Sequence, residues 1–122
     1  KQKRRMGADL AVVGVAALVT MTSDICSSDV PYLTNTVNVR INDVKIALGA
    51  VAPTPIRAKA TEAILKGNNP GEKLLEEACR AAYDECKPID DCRSTAGYRR
   101  ELVAVLTKRA VAQAIERVKL EV

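Results

Sequence analysis

No histidine, phenylalanine or tryptophan occurs in these 122 residues, and three tyrosines are the whole aromatic complement. Without imidazole the chain lacks the commonest metal ligand and the side chain that titrates nearest neutral pH. With so few aromatics it also lacks the stacking platforms on which single-stranded nucleic acid is held. Cysteine occurs four times, at Cys26, Cys79, Cys86 and Cys92, yet no pair has the C-x-x-C spacing of a zinc ribbon or dithiol redox centre. The longest apolar run, Leu10 to Met21, has 12 positions, short of the ~20 residues that a membrane helix needs. A charged start followed by an apolar run imitates a secretory leader, but Asp9 is misplaced for one and no small-residue cleavage site follows. No nucleophile, general base or metal set is left from which to build a reaction, so the isolated chain is expected to be non-catalytic, with neither catalytic nor metal-ligating residues.

What is present describes a packed module. Hydrophobic residues make up 48% of the chain, and the core must be built from Ala, Val, Leu and Ile. At this length one domain is expected. The net charge is +4, and Lys1, Lys3, Arg4 and Arg5 account for all of it, leaving 15 basic against 15 acidic residues in the body. The positive field therefore sits at one end instead of covering a face, which speaks against a nucleic-acid partner. Cys79 and Cys86 lie one above the other on a predicted helix, about 10 Å apart along its axis, beyond the ~7 Å reach of a disulfide. The four thiols read as reduced, buried cysteines of a cytoplasmic protein, with Cys26 the expected exception. The first residue is Lys, so the chain is expected to begin within a longer polypeptide.

Strands come first and helices second. Residues 9 to 22 are apolar on both faces, and Val12, Val13, Val15 and Val19 favour a strand covered twice, by the chain's own helices and by something else. Residues 23 to 35 form a polar connection. Val37 to Ile41 alternates as a half-exposed strand, Asn42-Asp43 breaks or bulges it, and Val44 to Gly49 resumes. Pro53 and Pro55 remove two backbone donors and make a rigid corner out of the sheet, with a short extended segment from Pro55 to Arg57. A first helix, Ala58 to Lys66, ends at Gly67. A second is expected to open with Asn69 as N-cap and Pro70 at its first position, burying Leu74, Leu75, Ala78, Ala82 and Cys86 before Pro88. A third runs from Thr95 as N-cap to about Val118 and is expected to bury Leu102, Val105, Leu106, Val111, Ala112 and Ile115. The fold class is α+β: a small antiparallel sheet of three or four strands followed by three helices packed on one face. Residues 1–8 would be a linker or strand entrance, 9–57 the sheet and 58–118 the helices.

Four segments in this order carry a family resemblance. They are Lys1-Gln2-Lys3-Arg4-Arg5-Met6-Gly7-Ala8-Asp9-Leu10-Ala11, Ala52-Pro53-Thr54-Pro55-Ile56-Arg57-Ala58, Asp84-Glu85-Cys86-Lys87-Pro88-Ile89-Asp90-Asp91-Cys92-Arg93, and Tyr98-Arg99-Arg100. Together they resemble the C-terminal domain of the FAD-binding medium subunit of molybdenum hydroxylases, the family of the carbon monoxide dehydrogenase and xanthine dehydrogenase flavoproteins. The resemblance spans nearly the whole chain and is weakest from Cys26 to Val37.

It implies a domain that closes the flavin site and docks partner subunits while electrons pass from iron–sulfur centres to FAD. The implied partners are the N-terminal FAD-binding domain of the same subunit, a molybdenum large subunit and an iron–sulfur small subunit, with no nucleic acid and no membrane span. The implied cofactor is FAD, held in the complete subunit and weakly or not at all by this fragment, whose sequence has no phosphate loop. The implied cofactor-binding residues are Lys1, Arg4, Arg5 and Asp9. In the family the glycine stands directly before the acid; here Ala8 intervenes, which leaves the register open by one residue. A bland reading stands beside each role: Lys1 in a solvated linker, and Asp9 as a strand-start acid paired with Arg4 or Arg5. Arg99 and Arg100, at the positive end of a helix dipole, are expected to be paired with Asp90, Asp91 or another subunit. The alternative function is a dimerisation or partner-docking module without flavin contact.

Overall fold

Two long strands and three helices make up most of what the computed structural model describes, residues 1–24 and 38–121. Cys26 and most of the polar connection lie outside the described residues. The elements run β1 (Gln2–Lys3), β2 (Ala11–Asp24), β3 (Asn38–Gly49), β4 (Ile56–Arg57), α1 (Lys59–Leu65), α2 (Glu72–Glu85) and α3 (Ala96–Glu121). The sheet order is β1-β2-β3-β4 with every pairing antiparallel. This is the α+β fold that the order of elements implies.

The β2–β3 pair carries a bulge where the sequence suggests one. Thr20 pairs with Asp43 and Met21 with Ile41, so Asn42 has no partner across the ladder. The extra residue reverses the in–out alternation: Ile41 and Val44 are both buried although three apart, which an unbroken strand of period two forbids. The buried face continues through Ile46 and Leu48 on β3 and through Val13 and Val19 on β2; α1 and α3 pack on the sheet, and α2 packs on those two helices. β2 is covered by α3 on this face, while Ala16, Leu18 and Thr20 on its opposite face are exposed.

Tertiary contacts set the helix starts more than local capping does. Asn69 and Pro70 precede α2, whose N-cap is Gly71 in an extended conformation, a correction to the expected Asn69 cap. The preceding turn is pinned to the sheet, with the Gly67 amide donating to the Ile41 carbonyl and the Ile41 amide to the Asn68 carbonyl. Residues 69–71 then serve as an extended spacer. At α1 the Ala58 cap position has no side-chain acceptor. Glu85, from the far end of α2, supplies one instead, accepting from the Ala60 and Thr61 amides and the Thr61 hydroxyl at 2.8, 3.3 and 3.0 Å. Thr95 does cap α3, its Oγ1 accepting from the Tyr98 amide.

The buried row of α3 is Arg99, Val103, Thr107, Val111 and Ile115, every fourth residue. Val105, expected inside, is 43% exposed. The expectation failed because two of the five inward positions are polar, and hydrophobic periodicity rotates the inferred face away from them.

Candidate flavin-facing site

The N-terminal segment is a hairpin arm. Gln2 and Lys3 pair with Val13 and Ala11, and the loop between them turns through Gly7 at φ +90°. Two lysines tie the arm back on itself: Lys1 Nζ donates to the Asp9 carbonyl at 3.0 Å and Lys3 Nζ to the Gly7 carbonyl at 2.6 Å. The Asp9 carboxylate accepts from the Leu10 amide at 2.9 Å, and no ion pair to Arg4 or Arg5 is found among the described residues. The expected Asp9–arginine pair is thus replaced by a local cap on the strand start. Arg4 turns the other way, donating to the Cys92 carbonyl at 3.5 Å, and Arg5 is exposed. Of the four sequence-derived candidates, the structure brings Lys1 and the Asp9 backbone together and sends Arg4 elsewhere.

Lys1 stands at the rim of a shallow cavity of about 310 Å³ on the sheet face that the helices leave open. Its floor comes from two directly paired rungs, Gly14 with Gly49 and Ala16 with Ala47. Pro55 closes one side. Four adjacent positions without a side chain beyond Cβ make this part of the sheet flat. The fold itself does not require the glycines. Neither has a positive φ, a Cβ on Gly14 would meet nothing within 4 Å, and one on Gly49 would meet only the Gly14 carbonyl at 3.8 Å. Sequence reasoning missed this platform, although small residues at alternate positions of two adjacent strands were there to be read.

The platform suits a planar ring and not a pyrophosphate. Among the described residues the glycines at positive φ are Gly7, in a hairpin loop, and Gly67, after α1. Neither opens a helix, and the first turn of α2 carries Glu72, the wrong sign for a phosphate.

Beside the site, Arg99 locks the corner in place. Its side chain is 4% exposed, with Nη2 2.7 Å from Asp91 Oδ1 and Nη1 donating to the Ala50 carbonyl at 3.1 Å. The pairing with Asp91 is as expected. Asp91 also accepts from the Arg93 and Ser94 amides, and these bonds, the Arg93 amide foremost, then Ser94 and Arg99, hold its pKa down to about 2. Arg100 lies over the Tyr83 ring, 5.8 Å from its centre.

Cys79 and Cys86 are buried, and burial pushes both thiols up. Cys92 is exposed, which corrects its assignment to the core: it sits in the loop before α3, where no helix face draws it inward. No group of three potential metal ligands is found among the described residues, and no described helix is long and apolar enough to cross a membrane.

Residues 1–114 match the family described as the CO dehydrogenase flavoprotein C-terminal domain. The carbon monoxide dehydrogenase medium chain of Afipia carboxidovorans is 30% identical over 119 residues, covering 98% of this chain and 36% of that protein. The glyceraldehyde dehydrogenase medium chain of Sulfolobus acidocaldarius is 34% identical over 70 residues, 57% of this chain and 25% of that one. The crystal structure of the cyanide-inactivated Cu,Mo-CO dehydrogenase superposes with a TM-score of 0.75 at 27% identity, over 96% of this chain and 35% of that one. The chain therefore spans about a third or less of the length of these relatives.

Proposed function

This chain belongs to the CO dehydrogenase flavoprotein C-terminal domain family, and from that premise we propose that it closes one side of the FAD site in the medium subunit of a molybdenum-containing oxidoreductase. The observation that carries the reading is the flat floor of Gly14, Ala16, Ala47 and Gly49 beside Lys1. A flat floor on the uncovered sheet face with Lys1 at its edge suits an isoalloxazine ring. When bound, FAD supplies the ring that receives electrons. The chain's own part is to shield that ring from water with its apolar floor and to hold a positive charge at its edge through Lys1. The Lys1–Asp9 hydrogen bond orients the amine, and Asp9 acts through this backbone contact. Arg5 stays at the mouth of the arm, free to meet the preceding domain. In the complete assembly the domain would dock the N-terminal FAD-binding domain, the iron–sulfur small subunit and the molybdenum large subunit.

Gly14→Val in the complete flavoprotein tests this. Valine suits a strand and its Cβ would meet nothing within 4 Å in this domain, so the melting temperature of the FAD-free protein should be unchanged or slightly raised. FAD content should fall severalfold because the side chain occupies the ring's place. Unchanged FAD content and an unchanged flavin spectrum would favour a docking module without flavin contact.

A further inference from the structure

At the same Ala50–Pro55 corner, a second cavity of about 370 Å³ shares no lining residue with the platform and falls within the roughly 300–1,000 Å³ of small-molecule sites. Its wall combines Lys87, Arg93 and Arg99 with one acid, Asp91, while Pro53 and Ile89 supply apolar surface. Asp91 is fully engaged: it accepts from two backbone amides and from Arg93 Nη2 at 3.2 Å, and it is ion-paired with Arg99 Nη2 at 2.7 Å. The neighbouring Asp90 is turned away and accepts from the Ala96 amide. Three cations thus face one acid, a surplus of two positive charges in a concavity that concentrates their field.

The surplus is preorganised. The Lys87 amide donates to the Val51 carbonyl at 2.8 Å, which fixes its backbone against the corner, and no ion pair holds its side chain among the described residues. Arg93 is held by its bond to Asp91 and remains 35% exposed. Arg4 approaches the same loop through the Cys92 carbonyl. Arg99 has a buried Nε with no partner among the described residues.

We propose that this cavity is an anion site that takes a phosphate group on a small organic molecule. Two surplus charges match a phosphate dianion better than a single carboxylate, the exposed part of the Arg93 guanidinium and the Lys87 ammonium suit its oxygens, buried Arg99 adds its charge, and the Pro53–Ile89 wall accepts an apolar body. The phosphate belongs either to a separate compound or to FAD itself, and the proposal does not depend on the flavin reading.

The test is inorganic phosphate titrated into the complete polypeptide that carries this domain, followed by ³¹P NMR line broadening, with FAD bound and with FAD stripped. Lys87→Gln and Arg93→Gln should each weaken binding about fivefold, and added salt should weaken it further. Lys87→Arg keeps the charge and should restore binding, which separates loss of the site from loss of the fold. Binding to the FAD-loaded protein identifies a separate phosphate compound. Binding confined to the stripped protein identifies the phosphates of FAD. Absence of binding in both forms up to about 50 mM, or binding that neither glutamine variant alters, would overturn the site.

Discussion

Arg99 is a charged residue in a core row, and its worth lies in what it connects. One guanidinium reaches the strand corner at Ala50, held at φ +62°, and the loop before its own helix at Asp91. Arg99→Ala should therefore cost about 2–3 kcal/mol in urea unfolding, since the Asp91 carboxylate and the Ala50 carbonyl lose their donor together. Asp91 gives the same junction a pH signature. Its pKa is depressed from 3.8 to about 2, so its contribution is complete above about pH 4 and drains away as pH falls towards 2. Melting temperatures across that window should drop more steeply for the wild type than for Asp91→Asn, which cannot titrate; parallel profiles would remove Asp91 from the junction. The tripeptide Tyr98-Arg99-Arg100 announces that a partner exists, because cations at a helix start need one. Asp91, eight residues away, was legible as that partner; the second partner, the Ala50 carbonyl from 49 residues away, leaves no local mark.

At the scale of elements, the parts set by nearby chemistry were the legible ones. Alternation and β-branching located β2 and β3, the polar pair at Asn42-Asp43 located the bulge, and Thr95 located the start of α3. Contacts distant in sequence were not legible. Glu85 reads as one more acid near the end of α2, yet it caps α1 across 25 residues. Glu85→Ala should destabilise the domain by about 1–2 kcal/mol, because two amides and the Thr61 hydroxyl lose their acceptor. A loss no larger than that of a surface Glu→Ala control on α2, such as Glu77→Ala, would refute the capping role. The α3 face was misread for a related reason: Arg99 and Thr107 occupy buried positions that an apolar pattern cannot reveal. The platform of Gly14, Ala16, Ala47 and Gly49 escaped notice because small residues add little to a hydrophobic pattern, and their meaning appears only once the two strands are set in register.

For the whole molecule, the division between a covered and an open sheet face determines what the domain can do. The three helices bury one side; the other presents the small-residue floor, with Leu18 62% exposed beyond it. Such a surface can shield a ring and meet another domain, but it offers no nest of backbone donors for a pyrophosphate. The isolated chain should therefore bind FAD more weakly than ~100 μM by isothermal titration, and low-micromolar binding would overturn this division of labour.

The central claim, that the domain faces the flavin through Lys1, is tested most directly by redox titration of the complete flavoprotein carrying Lys1→Met, with Lys3→Met as the control. Methionine keeps the apolar stem and removes the charge. A cation at ~5 Å and an effective dielectric of about 20 would be worth roughly 3 kcal/mol before screening. If a third of that survives, the two-electron flavin potential falls by about 20 mV. Lys3, whose amine is tied to the Gly7 carbonyl on the arm, should shift it less. A lowered potential for Lys1→Met, with FAD content retained, is the predicted result; potentials unchanged at both positions with FAD content unchanged would contradict the account and place Lys1 away from the ring.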